Sequence, residues 1–206
     1  MVIIKRQTSQ LIKDEELQPR AFAGLVEALE SSDATTRRLA ARELAAFPAA
    51  SAILVARLKH ESNASVSDAL ITALTRLGGK EAVAGLVECL RSEDAALRNE
   101  AIEAMKEMPD EVAPIMDTLL VDADPDVRIF AVNILESLRH PGVETWLVKV
   151  IASDPHVNVC AAAADLLSEV GSEMARGALE QLSLRFPNEP YIAFVIDVAL
   201  KRHDED

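Results

Sequence analysis

Two short motifs in the sequence have residue types and spacings that could support chemistry. His156 and Cys160 are four residues apart, so on a helix they share one face and could give two ligands to a metal ion. A zinc site needs a second pair of ligands, which the sequence does not offer. Gly78-Gly79-Lys80 could hold a phosphate at a helix start, but the longer Walker pattern is absent, and a glycine pair is typical of a boundary between helices. We therefore predict no catalytic, metal or cofactor site.

The two cysteines are predicted to be packing residues. Cys160 aligns with Phe130 in the repeat described below, and Cys89 aligns with Ala28 and Leu58. These columns are apolar, which favours buried and unreactive thiols. Two cysteines are also too few for a disulfide framework, so we predict a cytoplasmic protein.

A repeat of 30 or 31 residues positions these side chains. Five residues open the same helical pattern: Asp33, Asn63, Asp94, Asp124 and Asp154. Asp and Asn are favoured helix N-caps, and Pro125 and Pro155 follow two of them at the first helical position. Mostly apolar residues recur three, seven and eleven positions later, on one face of a helix. The fifth unit is shifted in phase, since Asp165 stands where the others have Leu or Met.

A second apolar stretch follows each of these helices after a turn marked by Pro or Gly. Residues 21–33 match residues 82–94 at nine of thirteen positions, which makes the first segment the second helix of an incomplete leading unit. A repeat of this length indicates a solenoid whose units bury their apolar faces against one another. We predict a single domain over 1–206 with these parts: a leading half repeat 1–32, repeats 33–62, 63–93, 94–123, 124–153 and 154–183, and a capping segment 184–206.

The stretches DAALRNEAIEAM and DPDVRIFAVNIL carry a family resemblance. Their order of Asp, then Val or Leu with Arg, then Ala, then Leu resembles the short-unit bacterial branch of the HEAT repeats, called phycobilisome-lyase-like, over about residues 20–183. The resemblance implies an all-α, right-handed α-solenoid (superhelix) of about five and a half two-helix repeats. We predict a non-enzymatic protein-interaction scaffold or adaptor that binds its partner along the concave face. The resemblance implies one alternative, a bilin lyase or isomerase subunit that handles a tetrapyrrole.

The charge of the chain bears on its partners. Thirty-four acidic residues oppose 21 basic ones, for a formal net charge of −13. Nucleic-acid binding depends on basic residues that neutralise phosphates, so we predict no nucleic-acid partner. No run of about 18 apolar residues exists, so we predict no membrane partner either. A basic or amphipathic segment of another protein suits an acidic surface better.

A column of arginines has a predicted structural role. Arg37, Arg98 and Arg128 each stand four residues after an opening Asp, one turn inside the first helix. A guanidinium there could bridge to a carboxylate or carbonyl of the neighbouring unit. We predict an inter-unit ladder that holds the stack together. Trp146 is predicted to be a core residue, because its column also holds Leu25, Val55, Leu86 and Met116.

The second helices are predicted to line the concave surface and to bind the partner. We take the columns six and three residues before each opening residue as the binding face, with these candidates: Arg57, Glu88, Arg91, Thr118, Val121, Val148 and Ile151. We expect Val121, Val148 and Ile151 to form an exposed apolar patch, the usual mark of an interaction site. The alternative is that the chain's own C-terminal segment covers them.

The C-terminal stretch 190–200 is apolar nearly all round. The end of a solenoid should be polar on its outer face. We therefore expect this segment either to dock across the end of the stack or to form a contact with a second copy of the chain.

Overall fold

The computed structural model describes residues 21–205, with side chains described up to residue 202. Residues 1–20 and 206, which belong to the predicted leading half repeat and capping segment, lie outside the described residues. All regular structure in the described part is helical, which confirms the all-α prediction. The α-helices are α1 (21–28), α2 (Ala34–Leu44), α3 (Ser51–Leu58), α4 (Ala64–Leu77), α5 (Gly79–Cys89), α6 (Ala95–Lys106), α7 (Pro109–Leu119), α8 (Pro125–Leu135), α9 (Val143–Ser153), α10 (Val157–Val170), α11 (Glu173–Arg185) and α12 (Pro190–Glu205).

Four of the five predicted N-caps are confirmed. The side chains of Asp33, Asn63, Asp94 and Asp124 accept hydrogen bonds from backbone N–H groups in the first turns of α2, α4, α6 and α8. Pro125 is the first residue of α8, where its missing N–H costs nothing. Gly78 and Gly79 have φ values of 65° and 80°, a conformation that glycine adopts readily, and they separate α4 from α5 as predicted.

The fifth predicted cap, Asp154, is wrong. Helix α10 begins two residues later than expected, at Val157, and is preceded by His156. Asp154 is instead buried, and its carboxylate accepts a hydrogen bond from the backbone N–H of His156 at 2.8 Å. When the unit is counted from His156, Val159, Ala163 and Leu167 fall at positions three, seven and eleven, and all three are buried. The phase shift is thus a two-residue displacement of the whole first helix.

Asp154 shares its position with residues in the earlier turns. Two residues before each true opening residue, a side-chain oxygen accepts a hydrogen bond from that residue's backbone N–H, at Ser31, Glu61, Ser92, Asp122 and Asp154. This contact fixes each turn between a second helix and the next first helix. At Glu61 and Asp154 it also places a carboxylate within reach of Arg37 and Arg128, which lie in the helix that opens the preceding repeat.

The predicted arginine ladder is confirmed in the structure. The guanidinium of Arg37 donates to both carboxylate oxygens of Glu61 at 2.8 and 2.9 Å, and to the carbonyl oxygen of Ser31. Arg128 donates likewise to Asp154 at 2.7 and 3.1 Å and to the carbonyl oxygen of Asp122.

Arg98 makes a variant of the same contact. It donates to the carbonyl oxygen of Ser92 at 2.7 Å and lies over the ring of Phe130, 5.7 Å from its centroid. Each arginine therefore joins the turn before its own helix to the following repeat.

The chain forms two compact units, one up to Val87 and one from Glu88. In the first unit α2 packs on α4, and α3 packs on α4. In the second unit the first helices pack in sequence, α6 on α8, α8 on α10 and α10 on α12, while α9 packs on α11. Helix α12 therefore occupies the place of a sixth first helix.

Gly85 provides a test of packing in the first unit. A Cβ atom added to Gly85 would lie 2.4 Å from Cγ2 of Val55, whereas nothing lies within 4 Å of one added to Gly177 in α11. Alanine favours a helix over glycine by about 1 kcal/mol, but overpacking costs about 1–3 kcal/mol. We expect Gly85→Ala to lower local stability by about 1 kcal/mol, and Gly177→Ala to raise it by about 0.5–1 kcal/mol, in hydrogen exchange of the surrounding amides. Equal effects of the two substitutions on local stability would mean that the side chain of Val55 moves aside without an energetic penalty.

Candidate functional site

A groove lies between the ends of α7 and α9, the second helices of the third and fourth repeats. Its volume is about 300 Å³. Residues from α7 and α9, from the loops that follow them, and from α8 line it: Asp117, Leu120, Val121, Asp122, Arg128, Trp146, Lys149, Val150, Ser153, Asp154 and Pro155. We call it the α7–α9 groove. It lies on the second helices, which the sequence predicted to bind a partner.

The apolar part of the α7–α9 groove is exposed mainly at Val121. That side chain is 76% exposed, whereas Leu120, Trp146 and Val150 are buried. The ring of Trp146 stacks on His140 with centroids 4.9 Å apart. Trp146 is thus a packing residue, as predicted. It forms a wall of the groove, and Val121 and Pro155 are the exposed apolar residues that a partner can reach.

Ion pairs flank the α7–α9 groove. Nζ of Lys149 lies 3.0 Å from Oδ1 of Asp117, and both side chains are exposed. Arg91 pairs with Asp122. The hydrogen bond from Lys149 lowers the pKa of Asp117, and that from Arg91 lowers the pKa of Asp122. These carboxylates therefore remain ionised at neutral pH and can act as hydrogen-bond acceptors for a bound segment.

A buried ion pair closes the bottom of the α7–α9 groove. The side chains of Arg128 and Asp154 are only 10% and 4% exposed, and their closest atoms, Nε and Oδ2, are 2.7 Å apart. The pair to Asp154 raises the pKa of Arg128. On the far side of Asp154, Arg185 at the end of α11 donates to the backbone carbonyl oxygens of Ile151 and Asp154. The loop after α9 is therefore fixed from both sides, which makes this wall preformed.

The predicted binding residues have different locations. Arg57 belongs to the first unit and pairs with Glu61 at 2.7 Å. In the second unit, Glu88 and Thr118 are exposed, Val121 lines the α7–α9 groove, and Arg91 contacts the groove residue Asp122. Their role in binding stays a prediction.

The prediction that Val121, Val148 and Ile151 form an exposed patch is wrong for Val148 and Ile151. Ile151 is 0% exposed and Val148 is half-buried. Ile151 stands five residues before His156, the residue that opens the next first helix. The equivalent residues before Asn63, Asp94 and Asp124 are all buried: Leu58, Cys89 and Leu119. The two-residue displacement moves Ile151 into the core register, and α11 packs on α9 there.

The sequence missed Asp117 and Lys149 as groove residues. Both stand seven residues before the structural opening residue of the next repeat, Asp124 and His156 respectively. Their side chains therefore meet across neighbouring second helices. The sequence does not show that Asp117 and Lys149 are equivalent, because counting from Asp154 instead of His156 puts Lys149 in a different column.

The cysteines are packing residues, as predicted. Cys89 and Cys160 are free and buried. Burial raises the pKa of Cys160, whose Sγ lies 3.3 Å from the carbonyl oxygen of Asp154. Within residues 21–205, no group of three or more His, Cys, Asp or Glu side chains is arranged to hold a metal ion. None of the described helices is both long and apolar enough to cross a membrane.

The stacked helix pairs and the arginine ladder define a helical-repeat protein. The sequence profile of the HEAT repeats matches residues 22–106 and 112–193. The chain belongs to the HEAT-repeat family. None of the curated proteins matches it.

Several solved structures resemble the chain at low identity. An engineered protein is 21% identical, with 89% of this chain and 96% of that chain covered and a TM-score of 0.42. A designed armadillo repeat protein in complex with the peptide (KR)4 is 17% identical, with coverage of 87% and 98% and a TM-score of 0.41. The complex of CpcE and CpcF of phycocyanin lyase from Nostoc sp. PCC7120 is 18% identical, with coverage of 86% and 93% and a TM-score of 0.37.

Proposed function

We propose that the protein is a non-enzymatic interaction scaffold that binds a segment of another protein in the α7–α9 groove. The main support is Val121, a 76% exposed apolar side chain between two ion pairs. An apolar centre with a charged rim is the usual arrangement of a protein interface. The rigid wall formed by Trp146 and the Arg128–Asp154 pair favours binding, because little ordering is needed when the partner arrives.

The partner in this proposal is an amphipathic segment with basic residues beside an apolar anchor. The anchor would contact Val121, and the basic side chains would approach the carboxylates of Asp117 and Asp122, which are held ionised. The net charge of −13 would attract such a segment over a longer range and raise its association rate. Added salt should therefore slow association more than it speeds dissociation.

Peptide selection tests this proposal without knowledge of the natural partner. We expect a phage-displayed peptide library, selected on the full chain, to enrich peptides that combine an apolar residue with Lys or Arg. Val121→Asp should weaken the enriched peptides at least tenfold in fluorescence anisotropy, because it puts a charge where the apolar anchor would dock. The substitution should not disturb folding, since Val121 is exposed.

The matched control is Leu39→Asp, which places the same charge on a 49% exposed apolar residue of α2. It should leave peptide affinity within about twofold of wild type, since local contacts rather than net charge decide the effect. Acidic enriched peptides, or equal losses in Val121→Asp and Leu39→Asp, would contradict the proposal.

The bilin lyase or isomerase alternative stays a prediction based on the family resemblance. A volume of about 300 Å³ is at the lower limit of small-molecule pockets and is small for a tetrapyrrole. An absorption change on mixing the protein with a free bilin, lost in Val121→Asp, would favour this alternative over the scaffold.

A further inference from the structure

Helix α12 has two apolar faces, and the described part of the chain, residues 21–205, covers only one of them. Ile192, Val195 and Ala199 are at most 1% exposed and face the packing of α12 on α10 and α11. On the other side, Tyr191 is 55% exposed and Phe194 is 62% exposed. The chain has only seven aromatic residues, so two exposed rings three residues apart on one helix need a separate explanation.

The repeat itself does not require an aromatic ring at Tyr191. Counted from Glu189, which precedes α12, Tyr191 stands at position two. The residues at position two of the five preceding first helices are exposed and are polar or alanine: Thr35, Ser65, Ala96, Asp126 and Asn158. Exposed aromatic side chains are enriched in protein interfaces. This face of α12 therefore has the chemistry of a contact surface.

We propose that the face of α12 formed by Tyr191, Phe194, Val198 and Lys201, the α12 stripe, pairs antiparallel with the same stripe of a second copy of the chain. Its spacings of three, four and three residues are those of the a and d positions of a coiled coil. A twofold axis near residue 196 sets Tyr191 opposite Lys201 of the partner subunit and Phe194 opposite Val198 of the partner subunit. The stripe is thus complementary to itself, as a twofold interface requires.

Charge also favours a second copy at this place. Two copies that each carry a net charge of −13 repel each other over most of their surfaces. The only charge in the α12 stripe is the positive one of Lys201, whose Nζ is 2.6 Å from Oδ2 of Asp197 on the flank. Opposite Tyr191 of the partner subunit, the ammonium group would make a cation–π contact.

The size of the α12 stripe limits the strength of this contact. A helix of 16 residues is about 24 Å long, so pairing through one helix buries less than a standard interface. We therefore expect a weak dimer that forms in the micromolar range and above and dissociates on dilution. Groove binding at α7 and α9 does not depend on this dimer.

Sedimentation equilibrium of the full chain at several concentrations tests the pairing. The wild type should fit a monomer–dimer equilibrium, and Phe194→Asp should weaken dimerisation at least tenfold while keeping the wild-type circular dichroism spectrum. Leu184→Asp is the matched control, because Leu184 in α11 is 72% exposed and lies outside the α12 stripe. This variant should dimerise like the wild type. A wild type that stays monomeric into the millimolar range, or a dimer that persists in Phe194→Asp, overturns the proposal.

Disulfide crosslinking tests the register independently of stability. A mixture of Phe194→Cys and Val198→Cys chains should form crosslinked heterodimers under mild oxidation, because these positions face each other across the proposed axis. Each variant alone should crosslink much less. The native Cys89 and Cys160 are buried and should not interfere. Equal crosslinking in the mixture and in the separate variants would overturn the antiparallel register.

Discussion

Replacing Asp154 with alanine is expected to lower the free energy of unfolding by about 3–5 kcal/mol, the usual effect of breaking a buried ion pair. The substitution leaves the guanidinium of Arg128, whose side chain is only 10% exposed, without its carboxylate in a place that water hardly reaches. It also removes the acceptor for the backbone N–H of His156, which opens α10. Hydrogen exchange of amides in α8, α9 and α10 measures the loss locally, so a single two-state transition need not be assumed for the two units.

Two variants control this prediction. Asp117→Ala breaks the exposed pair with Lys149 and should cost less than about 1 kcal/mol, because solvent already screens it. The double variant Arg128→Met with Asp154→Leu removes both charges and should recover most of the stability lost in Asp154→Ala. If Asp154→Ala and Asp117→Ala lower the free energy of unfolding by the same amount, Asp154 does not hold α8 to the loop after α9.

Protonation or removal of the Glu61 carboxyl should have the next largest effect, in the first unit. Hydrogen bonds from Arg37 and Arg57 lower the pKa of Glu61 to about 2, from the usual 4.5. Because the folded pKa is depressed, the stabilisation is fully present above pH 4.5 and is lost as the pH falls towards 2. The shift corresponds to about 3 kcal/mol, so we expect Glu61→Gln to cost about that much at neutral pH.

Acid titration of hydrogen exchange in α2, α3 and α4 measures this effect. The wild type should lose protection in these helices between about pH 4.5 and pH 2, whereas Glu61→Gln should be less stable at neutral pH but less sensitive to acid over that range. Glu30→Gln is the matched control, because Glu30 also approaches Arg57, at 3.6 Å, but its side chain is 73% exposed. An unchanged acid response in Glu61→Gln would show that other carboxyl groups control the first unit.

Much of the fold could be predicted because its signals are local. A carboxylate or amide one residue before a helix caps that helix through neighbouring backbone groups, which explains the success at Asp33, Asn63, Asp94 and Asp124. The arginine ladder was also predictable, because Arg37, Arg98 and Arg128 stand at one helical position, from which each reaches the turn before its own helix. Cys160 and Trp146 are buried as predicted, but the columns behind that prediction were counted from Asp154. Counted from His156, Cys160 stands at the position of Arg37 and Arg128, which are also buried.

The candidate site was predicted less well, because it depends on which residues of neighbouring repeats bind the side chains in each turn. Asp154 followed by Pro155 has the local pattern of a helix start, but Arg128 and the backbone N–H of His156 bind its carboxylate instead. That choice displaces α10 by two residues and buries Ile151. It also aligns Lys149 with Asp117 on the rim of the α7–α9 groove. These partners are 26 and 32 residues apart in the chain, so no local pattern reports them.

The sequence by itself determined the repeat length, the helix pairs and four of the five caps, because these depend on periodicity and on hydrogen bonds within a few residues. It also determined the net charge and the scarcity of aromatic residues, which limit the classes of partner. Only the tertiary structure decided that Asp154 closes a buried ion pair, that Val121 is exposed at the α7–α9 groove while Ile151 is buried, and that the described part of the chain leaves the α12 stripe uncovered. Exposure and pairing depend on which helix packs beside which, and those contacts join residues of different repeats.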